Sequence, residues 1–437
     1  MQRVLARGRL ETTIGFADRR LAHFATRCRA RPTSRVSMPF APGAIPRSES
    51  YDAFVASVPD SRASPVKSLA RARDASASAT TGDDERPRVM LLHCGGTLGM
   101  GVESFELREA DVVPRAGGKY RPLGASKYLL DVQEVIPELR DFARLDVEVL
   151  MNKDSSEMDG KDWVTLARAL HERREEYSAF VVAHGTDTMA YAASALSLML
   201  VGFGKPIVLT GSQLPLSFAR SDARQNLIDA LTCCCASRSC GGTVDFAEVA
   251  ICFGGKLLRG NRASKTSATV YAAFSSPSYP ALARLGVGVD WNHARLLRPA
   301  PEYAPQFELN SNVIRVPVIP GLDIEKAYGD LYGRGVRGII LEAFGVGNFP
   351  QSLVPWLTSQ ASRGLQIYLS TQCQSGELRP ELYAAGLGAL AVGAKSGPVM
   401  TSECAVVKMM LHIANPELEL HVSYSGEAGD VDFCDIK

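Results

Sequence analysis

The sequence lacks the long apolar run that a membrane-spanning helix needs. Its longest apolar stretch, residues 189–203, is interrupted by Ser194 and Ser197 and is shorter than the ~20 residues of a bilayer span. The chain also lacks an excess of charge of one sign, because 48 basic and 47 acidic residues leave a formal net charge of +1. We therefore expect neither nucleic acid nor a membrane as a partner, and we interpret the apolar stretch as a buried helix.

Cysteine is present, but its spacing predicts neither disulfides nor zinc. Of the ten cysteines, three are consecutive (residues 233–235) and Cys240 lies nearby. The cluster has no CxxC pair and no histidine spacing typical of a zinc site. The pattern favours reduced thiols at a helix end and in a loop, and it predicts no metal or other cofactor.

The N-terminus is poor in acidic residues and rich in arginine. Residues 1–50 contain ten arginines, whereas the acidic residues there are Glu11, Asp18 and Glu49. The region has no continuous apolar segment of the kind found in secretory signals. This composition is typical of a mitochondrial or chloroplast transit peptide; the alternative is a basic tail on a cytoplasmic protein. Residues 1–86 are therefore predicted to be an extension that takes no part in the fold.

From residue 87 onward, predicted strands alternate with predicted helices. The strands are 88–93, 178–184, 206–210 and 247–253, and the helices are 162–177, 188–202 and 222–236. Such alternation predicts an α/β domain with a mostly parallel sheet. We place this larger N-terminal domain at residues 87–290.

A proline-containing stretch separates this domain from a second α/β unit. Residues 291–311 include Pro299, Pro301 and Pro305 and are predicted to connect two domains. A smaller C-terminal α/β domain is then predicted at 312–437, with strands at 313–319, 336–344 and 365–370 and a helix at 324–335. The length of 437 residues, 46% of them hydrophobic, is sufficient for two cores.

The stretch "VVAHGTDTMAYAASALSLML" (181–200) places polar side chains where a buried strand meets a buried helix. Thr186, Asp187 and Thr188 follow Gly185 directly. Thr188 is predicted to cap the helix, but one capping residue would be sufficient. Three polar residues in a row at the carboxyl end of a strand therefore favour a ligand site.

The stretch "HCGGTLGMG" (93–101) has the same design, since Thr97 follows a strand and two glycines. No phosphate-binding GxxxxGK[ST] pattern is present, so a nucleotide site has little support. Two threonines of this kind predict hydroxyl chemistry, but a threonine hydroxyl needs a base to become a nucleophile. Lys256 and Lys265 are the candidates, and the lysine could act either as that base or by orienting Asp187.

Seven motifs follow one another in an order that identifies a family. They are "GGTLGM", "DSSEMDGKDW", "FVVAHGTDTMAYAASALSLML", "KPIVLTGSQLPL", "ARSDARQNLIDAL", "LLRGNRASK" and "FGVGNFP". Over residues 88 to about 415 the sequence resembles the cytoplasmic (type I) branch of bacterial-type L-asparaginases. The resemblance implies an asparaginase-like fold and hydrolysis of the side-chain amide of L-asparagine to L-aspartate and ammonia. It also implies a homodimer or homotetramer.

The resemblance implies catalytic roles for five residues. Thr97 aligns with the family's usual nucleophile, while Thr186, Asp187 and Lys265 align with its Thr-Lys-Asp group. Attack by Thr97 and direct attack by a water activated at Thr186 both remain open. The family's lid tyrosine has a loosely aligned counterpart in Tyr120, within a segment that is longer here.

The resemblance also implies a site for the substrate's α-amino and α-carboxylate groups. Asp154, Ser155 and Ser156 align with the residues that hold these groups. Asp187 is expected to share the contact with the α-amino group, and Thr186 is also assigned to the substrate site. A zwitterion needs an acceptor for its ammonium and donors for its carboxylate, which these side chains supply.

Two other functions fit the same motifs. One is the asparaginase-like amidotransferase subunit that acts on Glu-tRNA, and the other is a non-catalytic effector-binding module of this fold. The second would be expected to lose Thr97, Thr186 or Lys265, and all three are present.

One departure from the family concerns regulation. In the bacterial type I branch an arginine before "GVGN" holds the carboxylate of an asparagine effector, whereas this chain has Glu342 there. Because two carboxylates repel each other, we predict an enzyme without this control. The alternative is that Arg337 or Lys395 replaces the missing cation.

Overall fold

The computed structural model describes residues 85–99, 132–297, 302–397 and 399–428. Most of the predicted N-terminal extension, and Tyr120, lie outside these ranges. No helix within them is long and apolar enough to cross a membrane.

The first sheet has eight strands in the order β10-β9-β6-β5-β4-β3-β1-β2. The strands from β5 to β2 in that order are parallel, and the other three extend the sheet in antiparallel fashion. A separate two-stranded ribbon pairs β7 with β8. The ten strands are β1 Arg88–Gly95, β2 Arg144–Lys153, β3 Ala179–Ala183, β4 Ile207–Thr210, β5 Val249–Phe253, β6 Lys256–Arg259, β7 Ser264–Lys265, β8 Phe274–Ser275, β9 Ala283–Leu285 and β10 Val289–Trp291.

Helices cover both faces of this sheet. All five residues of β3 are apolar and buried, as expected of a parallel strand with helices on either side. The helices α3 and α4 share a core with one face, and α1, α2 and α5 share a core with the other. The bounds are α1 Val132–Val135, α2 Leu139–Phe142, α3 Gly160–Glu172, α4 Met189–Met199 and α5 Ala223–Ala236.

The second sheet has four parallel strands in the order β11-β12-β13-β14. Its elements are β11 Val313–Pro317, α6 Ile324–Tyr328, β12 Gly338–Ala343, α7 Val354–Ser362, β13 Gln366–Thr371, α8 Ala384–Ala391, β14 Lys395–Ser396 and α9 Ser402–Ala414. The predicted helix 324–335 ends early, at Tyr328, because Gly329 adopts a positive φ of 56°. The predicted α/β class with two domains is confirmed.

A shared core joins the two domains. Every residue of α4 except Tyr191 is buried, which is typical of a helix enclosed on all sides. One apolar cluster contains residues of α4, of α9 and of the second sheet. The helix that follows the "HGTDT" motif is therefore fixed by both domains.

The structure differs from the sequence prediction at β2 and in the connection. No strand was predicted at 144–153, where charged and apolar residues alternate only partly, and β2 is a half-exposed edge strand. Trp291, the first residue of the predicted connection, is the last residue of β10. Tyr303 and Phe307 pack against α3, with His171 Nδ1 3.0 Å from the Tyr303 hydroxyl. The part of the connection that the structure describes after residue 301 thus packs against the first domain.

Candidate active site

The candidate residues lie where the chain order of the first sheet reverses. The chain runs from β1 to β2 on one side and then crosses to β3 on the other side of β1. Such a reversal opens a crevice at the carboxyl ends of the strands, where ligands bind in open α/β sheets. Thr97 follows β1, Asp154 follows β2 and Thr186 follows β3. The topology therefore gathers side chains that are almost 90 residues apart in sequence.

Two glycines let these three loops touch. A Cβ on Gly96 would lie 2.3 Å from the Cα of Gly185, and Gly96 has a φ of 88° that side chains disfavour. A Cβ on Gly185 would lie 2.6 Å from the Oγ of Ser155. The loops that carry Thr97 and Thr186 are thus in backbone contact, and glycine is required at both positions.

Lys265 connects the two polar residues after β3. Its Nζ donates to Thr186 Oγ1 at 2.8 Å and to Asp187 Oδ1 at 2.6 Å. Thr186 is buried, whereas 64% of the Asp187 side chain is exposed. One ammonium therefore orients a buried hydroxyl and, at the same time, an open carboxylate. The structure brings together the three residues that the motifs predicted to act as a group.

The segment after β2 forms the next wall of the crevice. The Asp154 carboxylate accepts hydrogen bonds from the backbone N and the Oγ of Ser156, both at 2.8 Å, while Ser155 is buried. Thr188 occupies the N-cap position of α4 without a capping bond, contrary to prediction. Its hydroxyl instead donates to the Ser155 carbonyl at 2.7 Å. Thr188 thereby ties the 154–156 segment to the loop of Thr186.

Gln213 is a site residue to which the sequence pattern gave no role. It follows β4, the strand beside β3, and its Oε1 lies 3.5 Å from Thr186 Oγ1. The Asp222 carboxylate holds the Gln213 backbone N at 3.0 Å. Its signal was its position in "KPIVLTGSQLPL", directly after a predicted strand.

Two buried histidines lie beneath these loops, His93 in β1 and His184 directly after β3. Burial lowers the pKa of His93 to about 4, with the nearby His184 adding to the effect, and burial also lowers the pKa of His184. His184 Nδ1 lies 2.7 Å from the Gly185 carbonyl oxygen. Both rings are therefore neutral near pH 7, and His184 supports the loop.

Residues near the C-terminus anchor the loop that carries Lys265. The Asn261 side-chain amide donates to the carbonyl and the Oγ of Ser425, both at 2.9 Å. Arg262 donates to the carbonyls of Val399 and Glu427. Glu427 is fully buried and accepts a 2.7 Å bond from Lys408.

The charge of Glu427 is stabilised despite its burial. Burial alone would raise its pKa, but the Lys408 ammonium and backbone N–H donors lower it overall. Through Arg262, the loop that carries Lys265 is therefore attached to Glu427, which forms an ion pair with Lys408 inside the C-terminal domain.

The cysteine cluster lies apart from this crevice. Burial raises the pKa of Cys235 to about 12 and that of Cys240 to about 11, so these thiols are protonated near pH 7. Within the described ranges, no group of three or more His, Cys, Asp or Glu side chains could hold a metal ion.

Comparison with known families supports the motif assignment. The model of the N-terminal asparaginase domain matches residues 88–297, and the model of the glutaminase/asparaginase C-terminal domain matches residues 312–419. Together the two matched ranges include the strands and helices from β1 to α9.

Individual relatives carry three different names. L-asparaginase 1 of Escherichia coli K12 is 34% identical over 333 residues, covering 74% of this chain and 91% of that protein. The human 60 kDa lysophospholipase is 37% identical over 353 residues, covering 77% of this chain and 59% of that protein. A glutamyl-tRNA(Gln) amidotransferase subunit of Pyrococcus furiosus is 29% identical over 345 residues, covering 75% of this chain and 72% of that protein.

A solved structure shows the same fold. The thermostable L-asparaginase from Thermococcus kodakarensis superposes with a TM-score of 0.67 at 29% identity, covering 79% of this chain and all of that one. With both family models matched in order and a relative above 30% identity aligned along nearly its whole length, the chain belongs to the bacterial-type asparaginase family.

Proposed function

We propose that the protein is an L-asparaginase that hydrolyses the side-chain amide of L-asparagine to L-aspartate and ammonia. The observation that carries the proposal is the Lys265 ammonium, which bonds both Thr186 and Asp187 at the mouth of the crevice. The Thr97 loop lies against the same crevice through the Gly96–Gly185 contact.

The reaction proceeds through an acyl-enzyme. The Thr97 hydroxyl attacks the amide carbon and forms a C–O bond, while backbone N–H groups stabilise the negative charge on the amide oxygen. The C–N bond then breaks, and the nitrogen leaves as ammonia after taking the proton of the hydroxyl. Water cleaves the resulting ester to aspartate and restores the hydroxyl, with Thr186, Asp187 and Lys265 carrying the protons.

The exposed carboxylates suit the rest of the substrate. Asp187 and Asp154 are both exposed and can accept hydrogen bonds from the α-ammonium of asparagine. Ser156 is exposed beside them and offers a hydroxyl to the α-carboxylate. In this assignment Asp154 binds substrate at the cost of its present bonds to Ser156.

The test is ammonia release by the full chain from L-asparagine and from L-glutamine, with conversion of Glu-tRNA to Gln-tRNA assayed separately in the presence of ammonia and ATP. Lys265→Met should abolish release from asparagine. Lys256→Met is the matched control, because Lys256 lies in β6, the strand that precedes β7 in the chain, and has no contact with Thr186 or Asp187 among those that the structure describes. Equal loss in both variants would contradict the assigned role of Lys265.

The other names among the relatives define the alternative outcomes. Ammonia-dependent conversion of Glu-tRNA would indicate the amidotransferase function, and fatty-acid release from a lysophospholipid would indicate the activity named for the human relative. No release with any substrate, together with asparagine binding, would indicate the effector-binding module.

The arginine-rich N-terminus carries a separate proposal on localisation. With ten arginines and three acidic residues in its first 50 positions, it has the composition of an organellar transit peptide, and we place the enzyme in a mitochondrion or chloroplast. A fluorescent fusion of residues 1–86 that stays diffuse in the cytosol would contradict this. A homodimer or homotetramer is the proposed assembly, and light scattering would measure it.

A further inference from the structure

We propose that Glu403, acting through Ser264, is a positioning residue for Lys265. The Ser264 hydroxyl donates to Glu403 Oε2 at 3.0 Å, and Ser264 precedes Lys265 in β7. This inference rests on the proposed function only in so far as Lys265 serves catalysis.

The alternation of side chains along a strand makes this contact informative. Successive residues of a strand point to opposite sides, so a bond on one side fixes the direction of the next residue. Ser264 points to α9, and Lys265 points to Thr186 and Asp187. Holding Ser264 therefore aims the lysine at the crevice.

Lys265 lies at a boundary between anchored and exposed chain. Residues 259–263 are buried, whereas residues 268–271 are exposed. The side chains of Arg262 and Ser264 both bond the C-terminal domain. Of these two residues, Ser264 is the nearer to Lys265 along the chain. Without that bond, the backbone of Ser264 and Lys265 would be held by the short β7–β8 pairing and by the anchor at Arg262, and the direction of the lysine side chain would be less fixed.

Glu403 is itself fixed in place. It lies in the first turn of α9, where the Thr401 hydroxyl caps the helix by accepting from Cys404 N at 3.2 Å. Its neighbour Ser402 donates to Glu342 at 2.7 Å, which attaches this turn to the second sheet. A carboxylate near a helix N-terminus is also favoured by the helix dipole. The hold on Ser264 thus comes from a rigid part of the other domain.

Kinetics of matched variants test the proposal. Ser264→Ala should lower kcat for asparagine about tenfold to a hundredfold, the range expected for a displaced catalytic group, with KM changed much less. Ser264→Thr keeps a hydroxyl, and Glu403→Gln keeps an acceptor, so both should retain most activity. Ser267→Ala is the control, because among the contacts described that hydroxyl bonds only the exposed backbone of Thr269 and Val270.

A double variant separates positioning from general stability. Ser264→Ala combined with Glu403→Ala should lose no more kcat than the more impaired single variant, because both remove one contact. Multiplying losses, or a Tm that falls while kcat stays normal, would overturn the proposal.

A crystal structure of Ser264→Ala provides a readout that needs no substrate. We expect Lys265 Nζ to move beyond hydrogen-bonding distance of Thr186 Oγ1, from 2.8 Å in the wild type. An unmoved lysine would overturn the positioning role even if the enzyme proved inactive on asparagine. Inactivity of the wild type with a displaced lysine in the variant would instead contradict the proposed function alone.

Discussion

The two domains each carry an acid–base pair, and the pairs are exposed in opposite ways. In the Lys265–Asp187 pair the lysine side chain is 18% exposed, whereas the aspartate side chain is 64% exposed. In the Arg315–Glu342 pair the glutamate side chain is 7% exposed, whereas the arginine side chain is 43% exposed. The nitrogen–oxygen distances are almost equal, at 2.6 Å and 2.7 Å.

The difference shows that exposure of one partner decides what a pair can bind. An open carboxylate held by a covered ammonium can accept a donor from a ligand without breaking the pair. At Glu342 the carboxylate is already enclosed by Arg315 and by the Ser402 hydroxyl at 2.7 Å. The first pair is suited to binding the ammonium of an amino acid, and the second to joining elements of the fold.

The largest effect should come from removing the hydroxyl of Thr186, which bonds Lys265 of the first pair, or that of Thr97, the proposed nucleophile. Thr97→Val and Thr186→Val should each lower kcat by roughly 10³-fold or more, equivalent to about 4 kcal/mol in the activation barrier. Valine has nearly the shape of threonine, so Tm should change by only a few degrees. Ammonia release and thermal melting of the same preparations measure both quantities.

Thr188→Val is the matched control, since its hydroxyl bonds only the Ser155 carbonyl among the contacts described. It should lower stability slightly and retain far more activity than the other two variants. Near-normal turnover of Thr97→Val would remove Thr97 as nucleophile and favour attack by water at Thr186.

A smaller effect should come from protonation of His93, the buried histidine of β1. The unfolded chain takes up a proton on His93 near pH 6.5, but the folded chain does so only at about 4. Its contribution is complete above pH 6.5 and is lost as the pH falls toward 4. The full contribution is ~3 kcal/mol of unfolding free energy.

Denaturant unfolding between pH 7 and 4 measures this contribution. His93→Asn should be less stable at pH 7 and should lose less stability on acidification than the wild type. His293→Asn, at an exposed position, is the control and should follow the wild-type curve. An unchanged pH dependence in His93→Asn would show that other groups cause the acid sensitivity.

The sequence predicts those features of the fold whose pattern lies in one short stretch of the chain. The α/β class and the strands beside Thr97 and Thr186 could be predicted, because each is a continuous apolar run followed by glycine. The strand β2 could not, since its edge position leaves it half-exposed and weakens its pattern. Because the sequence does not predict β2, it also does not predict the reversal of strand order at β1.

Within the site, the residue types could be predicted but the contacts between distant segments could not. Lys265 was named from its motif, whereas the anchoring of its loop by Ser425, Glu427 and Glu403 depends on residues about 140 to 165 positions later. Gln213 was missed for a different reason. Its role follows from β4 lying beside β3, a neighbour relation that only the sheet reveals.

The smallest effect is expected at the second pair, where we predict no cooperativity at all. Initial rates should depend hyperbolically on asparagine, with a Hill coefficient of about 1.

Arg337, one candidate for a replacement cation, donates to the carbonyls of Tyr332 and Val336. Arg315 is the cation beside Glu342, and an effector carboxylate would have to displace Glu342 from it. Arg315→Met is the decisive variant: it should lower stability but leave the curve hyperbolic. A sigmoidal wild-type curve that becomes hyperbolic in Arg315→Met would show that Arg315 binds an effector despite Glu342.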